Sequence, residues 1–198
     1  MSFVLNVYWS RTLEADLLVK WRESLIQQGL ECEFFPGFSF QSWSGGFFPV
    51  CLKVLSSSSF PQIHRYGNSP ILSGFELSIL KLTRKTVPHG LDRDLTKRLA
   101  TGFQATFCTA SGRSMADLRL QCLAAATLAN IFDGFYHDPQ QGKIFQGVQA
   151  LREAHQEAES FENSSLNKTS WILRPFPGWE AILPNADTKP VFHQNYST

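Results

Sequence analysis

Arg113 and Arg119 are the side chains in this 198-residue sequence whose type and spacing most invite chemistry. They stand at the start of a strongly apolar stretch, Leu118 to Phe132, which reads as a buried helix. Positive charge near a helix N-terminus opposes the helix dipole, so carboxylate partners are expected. The candidates are Asp117, Asp133 and Glu76. A structural ion pair built from Arg113, Arg119, Asp117 and Glu76 would fix the helix against a sheet. The same two guanidinium groups could instead hold an anion. An enzymatic or ligand-binding reading would place Arg113, Arg119, Glu76 and His137 around a pocket between sheet and helix.

Other chemistry is less legible. His137 and Asp138 are adjacent, and neighbours on a strand point to opposite faces, which disfavours an acid–base pair. Asp138 suits a turn better. A zinc site wants three or four convergent ligands, and no spacing among the five histidines and four cysteines announces one. Cys108, Cys122 and His137 would have to converge through the fold. Cys32, Cys51, Cys108 and Cys122 form no C-x-x-C pair and read as buried thiols. The sequence has no G-x-S-x-G, Walker loop, G-x-G-x-x-G or H-E-x-x-H. No catalytic residue, cofactor or metal is therefore expected.

Aromatic residues offer a different kind of site. Phenylalanine alone occurs 17 times. Phe38, Phe40, Trp43, Phe47 and Phe48 crowd one Gly-bearing segment, and Trp171 and Trp179 lie in a Pro-rich tail. Aromatic side chains dominate interface hot spots, so these seven are candidate partner-binding residues. The competing reading is that the rings fold back onto the core.

The elements that must position these residues follow from periodicity. Phe3, Leu5 and Val7 alternate as a strand. Thr12 is a plausible N-cap for a helix carrying Leu13, Leu17, Leu18, Trp21 and Leu25, with Gly29 at its end. Strands are expected at Glu31–Phe35, Val50–Leu55, Ile71–Leu82 and Phe103–Thr109. The serine run Ser56–Ser59 reads as a loop, and Leu91–Leu99 as helical or irregular. Ser114 or Ser111 caps the central helix, about 114–132, with Asp117 in its first turn. Asp138-Pro139-Gln140-Gln141-Gly142 turns a short hairpin. Val148–Phe161 is an amphipathic helix. The predicted fold is α+β: a mostly antiparallel sheet, a central buried helix and flanking helices on one face. It comprises one domain over 1–162 and an extended C-terminal arm over 163–198.

Composition bounds the function. Hydrophobic residues make up 43% and charged residues 18%, and the formal net charge is +1. This is globular composition without the basic footprint of a nucleic-acid binder. No stretch reaches the roughly 20 apolar residues of a membrane span. Met1 to Arg11 lacks the charged n-region of a signal peptide, so a cytoplasmic location is expected.

The run Thr109-Ala110-Ser111-Gly112-Arg113-Ser114-Met115-Ala116-Asp117-Leu118-Arg119-Leu120-Gln121-Cys122, followed by Asp133-Gly134 and Asp138-Pro139-Gln140-Gln141-Gly142, resembles a family of small, mostly uncharacterised bacterial cytosolic proteins. Phe47-Phe48-Pro49 and Gly74-Phe75-Glu76 fit the same pattern. The likeness is tight over Gly112–Phe145 and loose over Met1–Phe161. Such proteins look like immunity proteins of bacterial toxin systems. The resemblance implies a non-enzymatic inhibitor whose partner is a cognate protein toxin and which occludes the toxin's active site. Arg174-Pro175-Phe176-Pro177-Gly178-Trp179 lies outside the pattern.

Overall fold

The computed structural model describes residues 3–40, 46–57, 69–83, 87, 93–109, 113–164 and 173–182. Among these residues the chain forms β1 (Phe3–Trp9), α1 (Leu17–Gln27), β2 (Leu30–Phe34), β3 (Phe48–Ser57), β4 (Ile71–Lys81), α2 (Arg93–Leu99), β5 (Phe103–Thr109), α3 (Met115–Ile131), β6 (Phe135–Asp138), β7 (Lys143–Gln146), α4 (Val148–Ser164) and β8 (Arg174–Pro175). The strands make one sheet in the order β2-β3-β4-β5-β1-β6-β7, with β8 against β4. Every pairing is antiparallel. The expected α+β class with a central helix is what the chain adopts.

Alternation in β1 decides which face is covered. Phe3, Leu5, Val7 and Trp9 join the main core with the apolar side of α3, whereas Tyr8 belongs to a second, smaller cluster with Leu82, Val87 and Leu99. Thus α1, α3 and α4 cover one face, and α2 supplies Leu99 to the other. All residues of α3 from Ala116 to Ala129 are buried. Four alanines in this stretch (Ala124, Ala125, Ala126, Ala129) are wholly enclosed, so the helix backbone can approach its neighbours closely. Gln121 is also fully enclosed. Its Nε2 donates to the Phe3 and Phe107 carbonyls at 3.2 and 3.0 Å, and its Oε1 accepts the Thr109 hydroxyl at 2.8 Å. One side chain thereby braces β1 and β5 against α3 with no polar atom left over.

Several local expectations are met and some are displaced. Ser114 caps α3 in a reciprocal box with Asp117, each side chain accepting the other's backbone N–H. Gly29 and Gly142 take positive φ, 82° and 66°, after α1 and in the β6–β7 turn. Thr12 is not the cap of α1. The helix begins four residues later than that cap requires, after Asp16, whose side chain makes no capping bond. β3 runs longer than Val50–Leu55, and its last two residues, Ser56 and Ser57, are the first half of the serine run. α4 likewise continues past Phe161 to Ser164.

β8 explains how the tail meets the fold. β5 pairs with β4 only over Glu76–Lys81, because the chain then leaves the sheet for α3. The remaining edge of β4 is taken by β8, with Ile71 opposite Pro175 and Leu72 opposite Arg174. Arg174 and Pro175 therefore sit on the edge of β4 that β5 vacates.

Candidate functional site

The aromatic segment was expected either to present anchors or to fold inward. Phe38 and Phe48 are buried, and Phe40 is partly buried against the core. Phe38 stacks on Phe34 at 5.6 Å and meets Phe40 and Phe48 edge-on or tilted at 5.2 and 5.9 Å. Phe40 also packs on Trp21 at 5.5 Å. Trp21 is fixed in turn by its indole N–H, which donates to the Ala124 carbonyl and the Thr127 hydroxyl of α3. Three of the candidate anchors are thus parts of a ring cluster that seats α1 on the sheet, because each gains more by leaving water than by pointing into it. Phe47 behaves differently and is 51% exposed. Trp179 is partly buried, edge-on to Phe35 and Phe176 at 5.5 and 4.7 Å. Trp43 and Trp171 lie outside the described residues.

A cleft opens where β3 begins and β4 ends. It has a volume of about 190 Å³ and is lined by Leu13, Phe40, Gly46, Phe48, Ile79, Lys81 and Phe103. Lys81 is the charged residue of that lining, and the surface it shows is divided about evenly between polar and apolar atoms. Apolar cavities of roughly 150 Å³ accept a benzene ring, so this one has room for a single large side chain. On the far face of the same strand ends, alternation places Phe47 and Leu80, each 51% exposed. The corner thus carries exposed apolar surface on one face and a ring-sized cleft with an ammonium group on the other.

The predicted ion-pair set is divided differently. Arg119 binds Glu162 of α4 through both Nε and Nη2, each at 2.5 Å, rather than Asp117, Asp133 or Glu76. Two positions along a helix differ by about 200° of rotation, so Arg119 and Asp117 face away from one another. Asp117 instead gathers the sheet. Its Oδ1 accepts the Ser73 hydroxyl at 2.8 Å and the Gly74 N–H at 3.3 Å, and its Oδ2 accepts the Ser114 N–H at 3.0 Å. Arg174 of β8 reaches both oxygens at 3.3 and 3.2 Å. Arg113 donates to the Thr109 carbonyl at 3.2 Å and lies over the Phe3 ring at 5.4 Å. Glu76 is opposite Cys108 on the face away from α3.

These placements remove the pocket imagined between sheet and central helix. That interface is closed and alanine-packed. His137 is on the other face, with its Nδ1 3.2 Å from the Tyr8 hydroxyl. Burial lowers the His137 pKa and raises that of Tyr8 to about 12. Around them Thr106 donates to Asn6, and Gln104 donates to both Asn6 and Thr106. Cys122 faces Glu157 inside the helix layer, so it does not join Cys108 and His137. Among the described residues no group of three His, Cys, Asp or Glu side chains is arranged to hold a metal. None of the four cysteines is in a disulfide. Burial pushes the thiols of Cys32 and Cys51 up to about 12, well away from the thiolate a nucleophile needs.

No family model matches the chain, and neither does any curated protein or any solved structure. Function is therefore argued from the geometry. The features that sequence reasoning missed are Ile79 and Lys81 at the cleft, Leu80 on the opposite face, and the partners Glu162, Ser73 and Arg174. Leu80 follows Ile79 in a strand, and its exposure could be inferred only once the covered face was known. Among the described residues no helix is long and apolar enough to cross a membrane.

Proposed function

We propose that this chain is a non-enzymatic inhibitor of the immunity-protein type, which binds a cognate bacterial protein toxin and occludes its active site. The observation that carries this reading is the β3–β4 corner. A one-ring cleft of mixed polarity with Lys81 on its lining, backed by exposed Phe47 and Leu80, has the chemistry of a protein contact: apolar anchor points beside a charge. The ammonium group favours a partner whose inserted apolar side chain is flanked by a carboxylate. The resemblance around Gly112–Phe145 supports the class of protein. In this reading it marks the scaffold that holds the corner.

The test is co-expression with the product of the neighbouring gene. The inhibitor should co-purify with that product and restore growth of cells that express it. Leu80→Asp and Phe47→Asp should each weaken the complex at least tenfold while leaving the thermal midpoint of the free protein unchanged, since both side chains are half exposed. A chain that neither co-purifies nor protects would overturn the proposal.

A further inference from the structure

A second group of side chains lies far from the corner, between the β6–β7 hairpin and α4. Glu157 is 6% exposed and Asp138 is 2% exposed. Glu157 Oε2 accepts the Tyr136 hydroxyl at 2.5 Å, and its Oε1 accepts Gln141 Nε2 at 3.3 Å. Asp138 Oδ1 accepts the backbone N–H groups of Gln140 and Gln141 at 2.7 and 3.3 Å, which opens the hairpin turn. Asp138 Oδ2 is buried, and no N–H or O–H among its neighbours donates to it. Gln141 ties the two carboxylates together, its backbone N–H bonding Asp138 and its side chain Glu157, and Tyr136, which donates to Glu157, shares the Asp138 face of β6.

Two carboxylates set side by side and out of water share a proton more readily than either holds one alone, because the second ionisation must place like charges together. A proton on Glu157, donated to Asp138 Oδ2, removes one charge and supplies the missing donor together. We propose that Asp138 and Glu157 form a proton-binding site that latches the β6–β7 hairpin onto α4, closed while the proton is shared and loosened when it leaves.

The surroundings favour the proton. Tyr136 and Asp138 face the pair from β6, Cys122 from α3, Gln141 from the turn and Glu153 from α4 itself. The nearest cations are committed elsewhere: Arg119 to Glu162, and Lys143 to Glu153 at 3.4 Å. Burial first, and the Asp138 charge after it, push Glu157 up from 4.5 to about 7, against the opposing hydrogen bond from Tyr136. The folded chain therefore holds this proton more tightly than the unfolded one. The latch is complete below the ordinary glutamate pKa and is lost as pH rises through about 7.

The experiment is amide hydrogen exchange of residues 135–146 and 148–160 at pH 6 and pH 8, corrected for intrinsic rates, on the full chain and on Glu157→Gln. Glutamine keeps the shape and donates an N–H to Asp138 at any pH. Wild-type protection should fall about tenfold between the two pH values, while Glu157→Gln should show no such fall. Should Glu157→Gln not fold, the carboxyl-carbon titration of Glu157 in the wild type decides. A midpoint near 7 supports the site, and one in the ordinary carboxylate range overturns it. Parallel exchange profiles in the two proteins would also overturn it. Neither outcome bears on toxin binding, which is read at the opposite end of the sheet.

Discussion

At the scale of single residues, two carboxylates show how burial changes what a charge does. Asp117 is almost fully enclosed, and its partner Arg174 keeps 40% of its side chain in water. The pair is therefore asymmetric. Arg174→Ala removes a solvent-screened contact and should cost about 1 kcal/mol or less. Asp117→Ala leaves the Ser73 hydroxyl and the Gly74 and Ser114 N–H groups without their acceptor, and it removes the reciprocal half of the capping box while Ser114 still caps α3. It should cost about 3–4 kcal/mol in urea unfolding. Equal losses for the two variants would mean that the ion pair, not the hydrogen-bonded cap, is the stabilising unit. Asp117 was legible as a first-turn acid, because the Ser114-x-x-Asp117 spacing is local. Its sheet partners Ser73 and Gly74 were not, since they lie more than 40 positions away in sequence. Glu157 was missed for another reason. Glu residues on an amphipathic helix are read as outward, yet Ala150, Ala154, Glu157 and Ala158 share one buried stripe. The spacing i, i+4, i+7, i+8 contained that information, and the residue type concealed it.

At the scale of elements, β1 is held by close backbone approach at its C-terminal end. A Cβ on Gly102 would stand 2.1 Å from the Trp9 carbonyl oxygen, and one on Gly134 would stand 2.4 Å from that of Tyr8. These glycines flank the strand from β5 and from the start of β6. The obstructing atoms are backbone, so the strand itself would have to move. Gly134→Ala should destabilise the protein by about 1–3 kcal/mol, read as a lower urea midpoint with an unchanged m-value. An Ala at this position with wild-type stability would show that the β1–β6 junction has slack. The strands and helices were largely readable because their periodicity is local. The start of α1 was not, because Thr12 satisfies a sequence rule that the chain overrides by starting the helix at Leu17. Leu13 is left free to line the cleft.

At the scale of the whole molecule, Phe38, Phe40 and Phe48 of the aromatic segment and the described part of the tail close gaps in the fold. Phe38, Phe40 and Phe48 fill space between α1 and the sheet. Arg174 and Pro175 pair with Ile71 and Leu72 at the end of β4 that β5 does not reach, and Phe176 lies under Lys53 at 5.5 Å. Deleting residues 173–198 should expose the Pro70 carbonyl and the backbone polar groups of Leu72 together with the face of Phe35. Concentration-dependent association by light scattering, absent from the full chain, is the expected outcome. A truncated chain with undiminished dispersity and stability would show that the arm is dispensable to the sheet. The strand order itself could not be read from the sequence, because β1 lies between β5 and β6, and Asn6 meets Thr106 across 100 positions. That placement has a consequence for synthesis. β1 is made before the other described elements, and the partners of its two edges follow about 100 residues later on the β5 side and about 130 on the β6 side. At ordinary translation rates of about 5–20 residues per second, an apolar strand waits on the order of 10 s with both edges bare. The nascent chain is thus most vulnerable well before its last residues emerge, and a holdase that shields β1 during that interval would raise the yield of folded protein without touching its final stability.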